Sequence, residues 1–375
     1  MSLHVTQIDL ADRRQVRQFL DLPFRIYRDV PQWVPPLAPD ARRMLNPRHH
    51  PFYEHSEAAF FLARREGGQP LGRIAVLDNR RYNDYNHERT AFFYLFECAP
   101  DPDAAQALFE AAFAWARARG LSHVIGPRGF TALDGFGMLV RGFEHRPAFG
   151  LPYNLPYYPG LVEAAGFEPE GESVSGYLSA HMQFPEEIHR VAQRVRQRRG
   201  LHVARFTTSR ELRALVPKFQ ALYDACLGGA PGTVPLTEGE ARSMARQLMW
   251  FADPRLVKIV MKDEQPVGFL LAYPDISAAV QRTRGRVFPW NWVDLLGEFR
   301  RTKWVNVNGA GILPEYQGLG GTALLFSELQ RSIVEGGFEH AELVQIGVEN
   351  DKMQRELRRL GVDFYKAHRT YRRAL

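Results

Sequence analysis

The chain repeats itself, and the repeat limits its possible folds more than any single motif does. Ala59 to Leu77 and Leu256 to Tyr273 each read as two apolar strands around a polar turn, and Gln-Pro-apolar-Gly recurs at 69 to 72 and at 265 to 268. Each half then passes through a strand, a turn, a long amphipathic helix and a second strand. These are Ala91 to Cys98, Ala104 to Arg119 and His123 to Gly126 in the first half, and Trp304 to Leu313, Gly321 to Glu335 and His340 to Ile346 in the second. A helix, a glycine and a last strand close both halves, at Leu161 to Phe167 and at Glu356 to Val362. Because a helical crossover joins the two central strands of each half, that pair is expected to be parallel within a mixed, mostly antiparallel sheet. The expected fold class is α/β, with two such domains at 1–180 and 181–375 and a boundary near Ala180. A connecting helix is expected over 184–200, and an insertion, Ser277 to Lys303, precedes the central strand of the second half.

Composition narrows the function classes. A chain of 375 residues with 45% hydrophobic and 24% charged residues suits two globular domains and excludes wholesale disorder. It has no run of roughly 18 to 20 apolar residues and no basic-then-apolar leader, so the expectation is a cytoplasmic chain with no membrane partner. Cys98 and Cys226 stand far apart without metal-ligand spacing, which points to free thiols and no metal site. Lys and Arg outnumber Asp and Glu by 48 to 42, too mild an excess to require nucleic acid. The densest basic run, Arg190, Arg194, Arg196, Arg198 and Arg199, follows helical spacing and reads as a solvated face.

The central strand of the second half leads into Pro314-Glu-Tyr-Gln317-Gly318-Leu319-Gly320-Gly321-Thr322 and then a helix. Glycines between a strand and a helix leave backbone N–H groups unobstructed at the positive end of the helix dipole, a physical site for phosphate. Leu313, Pro314, Gln317 and Gly320, together with Val348-Glu349-Asn350 ahead of the closing helix, resemble the GNAT superfamily of acyl-CoA N-acyltransferases. The resemblance implies acetyl-CoA or another acyl-CoA as co-substrate. Its pyrophosphate would lie on the amides of Gly318, Gly320 and Gly321, with Gln317, Leu319 and Thr322 completing the turn and Asn350 nearby. Its pantetheine would lie along Ile312 and Leu313. Thr322 departs from the family pattern, which has Gly or Ala there. The first half has Ala99-Pro100-Asp101-Pro102-Asp103 at the matching turn, where prolines remove donors and aspartates repel phosphate while capping the helix. It is expected to be a degenerate copy without a CoA loop.

Acyl transfer to an amine needs a proton acceptor and a donor for the leaving thiolate. Many relatives carry a glutamate and a tyrosine where this chain has Asn306 and Leu357. Asn306 and Asn308 share a strand face by period-two alternation and are the candidates to hold a proton-relaying water, with Tyr365 as candidate acid and His368 behind it. The aromatic segments Phe288-Pro-Trp-Asn-Trp292 and Pro152-Tyr-Asn-Leu-Pro-Tyr-Tyr158 are expected to line a cleft or seal a domain interface, the interface being favoured for the second, and His49, His50 and His55 to be surface residues. The reading is an N-acyltransferase acting on a small-molecule or peptide amine by direct transfer in a ternary complex. The alternatives are a non-catalytic acyl-CoA-binding protein and an aminoacyl-tRNA-dependent transferase, the latter disfavoured by the intact turn.

Overall fold

The computed structural model describes every residue except 1, 132–133, 182–183, 207 and 228–232. It divides into two compact units. The first comprises Met1–Ser173, Ser277–Leu296 and Lys366–Leu375, and the second Val174–Ile276 and Gly297–Tyr365. The units are therefore interleaved along the chain. Most of the second-half insertion and the last ten residues are part of the first unit.

The strands are β1 (Leu3–Gln7), β2 (Glu57–Arg65), β3 (Pro70–Asp78), β4 (Thr90–Cys98), β5 (His123–Gly126), β6 (Met138–Arg141) and β7 (Glu168–Ser179), followed by β8 (Leu201–Ala204), β9 (Lys258–Lys262), β10 (Gln265–Pro274), β11 (Trp304–Ile312), β12 (His340–Gly347) and β13 (Asp363–Ala374). In the first unit the order is β1-β2-β3-β4-β5-β13, and in the second it is β7-β12-β11-β10-β9-β8. The predicted hairpins are β2–β3 and β9–β10, both antiparallel. The predicted parallel pairs are also present, with Thr90 opposite His123 on β4–β5 and Trp304 opposite His340 on β11–β12.

Residue type accounts for the elements. In the first unit the Pro102–Arg117 helix starts where Asp101 Oδ1 accepts the Ala104 N–H at 3.1 Å, with Pro102 opening the helix. Leu108, Phe109, Ala112, Phe113 and Ala116 recur at helical spacing and are wholly buried on the sheet. Phe93, Phe109 and Phe167 meet edge-on or tilted, their ring centroids 5.1 to 5.4 Å apart. Burying rings of this size contributes roughly 1.5–3 kcal/mol each. His50 departs from its expected place at the surface: it is buried, and its Nδ1 accepts the Phe52 N–H at 3.3 Å. The Pro152–Tyr158 segment packs inside this unit, where Tyr158 and Tyr27 both donate to the largely buried Glu97 carboxylate, at 2.8 and 2.6 Å.

In the second unit the Gly321–Glu335 helix buries Leu324, Leu325, Leu329 and Ile333 against the sheet. The connecting helix runs over Glu186–Arg199 and packs on it through Ala192 and Val195. Its arginines are largely solvated, but Arg196 pairs with the buried Glu328. Both halves carry a bulge at the same place. β4 gains a residue between Tyr94 and Glu97, with Leu95 at φ 49°, and β11 gains one between Val307 and Ala310, with Gly309 at φ 96°.

Candidate functional site

The Gly-rich turn of the second unit is held by one backbone bond at its entry and one side-chain bond from within it. Leu313 donates its N–H to the Val267 carbonyl at 2.9 Å, and Gln317 Nε2 donates to the Ile312 carbonyl at 3.2 Å. Gly318 and Gly320 adopt φ of 72° and 89°, backbone that only glycine takes without strain. At Gly320 the restriction is double, because a Cβ there would stand 2.5 Å from Val195 Cγ2 on the connecting helix. Gly320 is the N-cap of the Gly321–Glu335 helix, and no side chain caps that end. The first helical amides, from Gly321 and Thr322 onward, are thus left to an outside acceptor. The matching helix of the first unit has Asp101 in that position.

Beside this turn the two central strands part. β11 and β12 pair from Trp304 opposite His340 to Val307 opposite Leu343. Beyond that point β11 stays paired with β10 as far as Ile312. β12 turns to another partner, as Gln345, at φ 50°, donates its N–H to Ser175 Oγ at 3.0 Å. The bulge at Gly309 and the left-handed Gln345 thus open the parallel ladder, leaving the β12-facing edge of residues 308–312 without a strand partner among the described residues. Ile312 and Leu313 lead from this edge into the turn.

The sheet face carrying Asn306 is polar and closed. Residues opposite each other in a parallel pair share a face, so Asn306 and Glu342 lie side by side, both buried. Asn306 Nδ2 donates to Asp275 Oδ1 at 2.9 Å, and Asn308 Nδ2 donates to the Tyr273 hydroxyl at 3.2 Å. The two amide nitrogens therefore have separate acceptors and do not converge on one point. Tyr365 hydrogen-bonds Glu342 and lies edge-on to Tyr177, at 6.5 Å between centroids, and the Tyr177 hydroxyl meets His340 Nδ1 at 2.8 Å. Burial first, and then the Glu342 charge, push the Tyr365 phenol well above its ordinary range, so it stays protonated at neutral pH. His368 belongs to the first unit, where its Nε2 sits 3.2 Å from the Pro152 carbonyl. Asn350 caps the Asp351–Arg359 helix, its Oδ1 accepting the Met353 N–H at 3.1 Å.

Asp275, Glu342 and Tyr273 did not emerge from the sequence. Glu342 carried one signal: it is the lone acid in the mostly aliphatic stretch Ala341 to Ile346. On the opposite, apolar face a cavity of about 20 Å³ lies under the Gly321–Glu335 helix, lined by Leu178, Phe184, Val307, Phe326, Ile333 and Leu343 among others. It reaches the last paired residues of the two strands, where the parting begins.

No family model matches the chain. Two curated proteins resemble it along nearly their whole length. The bacterial ceramide synthase of Caulobacter vibrioides is 28% identical over 372 residues, 96% of this chain and 95% of that protein. Protein YghO of Escherichia coli is 24% identical over 374 residues, 97% and 94% of the two chains. Among solved structures, a tandem GNAT protein from the clavulanic acid biosynthesis pathway aligns with a TM-score of 0.59 at 14% identity, covering 100% of this chain and 98% of that one. A GCN5-related N-acetyltransferase from Sphaerobacter thermophilus aligns at 0.53 and 14% identity, covering 99% and 95%. The fold is the tandem GNAT fold, as the sequence motifs led us to expect.

Proposed function

We propose that the chain is an acyl-CoA-dependent N-acyltransferase with one acyl-CoA site, in the second unit. The observation that carries this reading is the adjacency of an uncapped glycine turn to a strand edge freed by the parting of β11 and β12. The turn offers amides to a pyrophosphate, and the free edge offers N–H and C=O groups at the spacing an amide-bearing pantetheine arm requires. The first unit lacks the site because the Asp101 carboxylate already caps its helix.

In the reaction the amine nitrogen attacks the thioester carbonyl. A C–N bond forms, the C–S bond breaks, the amine gives up a proton and the thiolate takes one. Glu342 is the proposed acceptor of the amine proton and Tyr365 the proposed donor toward the sulfur. Asn306, held by Asp275, and Asn308, held by Tyr273, fix the strand beside them. The relative named as a ceramide synthase supports an amino-alcohol lipid as the acceptor, since ceramides are N-acyl amino alcohols. It also supports a donor longer than acetyl. The 20 Å³ cavity holds little more than a water molecule, so a long acyl chain must displace Phe326 or Phe184 as it enters.

The test is calorimetric titration with acetyl-CoA and palmitoyl-CoA, followed by thiol release in the presence of long-chain amino alcohols or peptide amines. One site per chain and amine-dependent thiol release are expected. Absence of binding by either acyl-CoA overturns the reading, and thiol release with peptide amines alone overturns the choice of acceptor.

A further inference from the structure

Between Phe288 and Leu296 the first unit exposes an apolar surface that the fold does not use. Phe288 is 73% exposed, Trp290 77%, Trp292 42%, Val293 55% and Leu296 47%. These are half of the ten large hydrophobics that stand exposed among the described residues, gathered into nine consecutive positions. Scattered exposed hydrophobics are ordinary, but such a concentration marks a binding surface. Phe288 and Trp290, the outermost of its rings, are among the most exposed large hydrophobics of the described residues.

The rings are presented by fixed backbone. Trp292 donates its N–H to the Val287 carbonyl at 2.8 Å and Val293 to the Trp290 carbonyl at 3.1 Å, so the segment folds back on itself as a compact turn. The Asn291–Arg301 helix that follows is anchored from below by Leu295, which is wholly buried. Trp292, Val293 and Leu296, at i, i+1 and i+4, form its outward stripe. A surface helix ordinarily turns such a stripe inward.

The surrounding charge indicates what covers the patch. Arg284 and Arg286 precede it and are exposed, and between 282 and 301 there are five arginines against Asp294 and Glu298. Tryptophan and phenylalanine at the tip with arginine behind them suit an anionic lipid surface, with the rings at headgroup depth and the guanidinium groups on the phosphates. A second copy docking patch to patch would bring its own arginines against these. No described helix is long and apolar enough to cross a membrane, so the contact is one of surface insertion. We propose that Phe288–Leu296 is a membrane-interface anchor that inserts into an anionic bilayer, independently of whether the chain transfers acyl groups.

The experiment is flotation of the full chain with vesicles of phosphatidylcholine, alone or mixed with phosphatidylglycerol. Wild type is expected to float with the anionic vesicles and to show a blue shift in tryptophan emission. The Phe288→Ser, Trp290→Ser variant should lose about tenfold or more in vesicle partitioning with its melting curve unchanged, because both side chains are in water in the folded chain. Trp290→Ser alone should lose part of the binding, and Arg286→Glu should weaken binding to the anionic vesicles specifically. Failure of wild type to float with either vesicle overturns the proposal, as does equal flotation of wild type and double variant. A double variant that floats like wild type but changes from dimer to monomer in sedimentation without lipid would show the patch to be a self-association surface.

Discussion

Asn306 and Asp275 are joined by one hydrogen bond, 2.9 Å from amide nitrogen to carboxylate oxygen, and both side chains are buried. The bond ties the middle of β11 to the end of the neighbouring strand, where the Asp275 N–H also reaches the Trp304 carbonyl at 2.9 Å. A buried carboxylate deprived of an amide donor loses more than the bond itself, because part of its desolvation is no longer offset. Asn306→Ala should therefore lower stability by about 2 kcal/mol in urea denaturation. A change below about 0.5 kcal/mol would mean that the pair contributes little to holding the strand.

Glu342→Gln tests the proposed proton acceptor. It keeps size and hydrogen bonding near Tyr365 but removes the charge, so turnover with a functional amine should fall about 100-fold, the lower range for general acid–base assistance. Acyl-CoA affinity by calorimetry should be unchanged, because the free strand edge and the turn lie on β11 and after it, beyond the paired stretch in which Asn306 stands opposite Glu342. Unaltered turnover would remove Glu342 from the mechanism and direct attention to Asn308.

A test of the glycine turn has to avoid Gly320, where any side chain meets Val195 and positive φ adds strain, so that lost binding and lost folding would coincide. Thr322 is partly exposed in the first turn of the helix. There a carboxylate interacts favourably with the helix dipole yet repels a phosphate. Thr322→Glu should leave the melting temperature equal or slightly higher while raising the acyl-CoA Kd about tenfold or more. A variant that binds as wild type does would place the pyrophosphate elsewhere.

His368 gives the fold an acid limit. Burial, with a smaller contribution from Lys366, lowers its folded pKa to about 4, whereas the unfolded value is near 6.5. Between those values the unfolded chain binds more protons, so stability falls as pH drops through this window and is fully present above about 6.5. The difference amounts to at most ~3 kcal/mol at pH 4. Denaturation of wild type and His368→Leu from pH 7 to pH 4 should show a flatter pH dependence in the variant. Parallel curves would assign the acid sensitivity to other groups.

The sequence revealed what local chemistry decides. The hairpins, the crossover helices and the parallel pairs follow from periodicity and the repeat, and Asp101 was legible as a cap because Asp-Pro before an apolar helix has few other uses. Asp275 and Glu342 were hidden because each acquires meaning only through register. Period-two alternation places Asn306 on a face, but nothing local says that Glu342 stands opposite it. The aromatic segment at 288–292 was legible as unusual, while its direction depends on which side of the following helix finds a core, the side that buries Leu295 and Glu298.

The interleaving of the units has a consequence for synthesis on the ribosome. Tyr371 pairs with Gly126 and Ala374 with His123, so the sheet of the first unit gains its β13 edge only from the end of the chain. Until then β5 presents an unpaired edge through the translation of some 240 intervening residues, and an edge of that kind is open to a neighbouring nascent chain. The half that is made first is thus the last to be finished, and its exposure to misassembly is set by the speed of translation through the second.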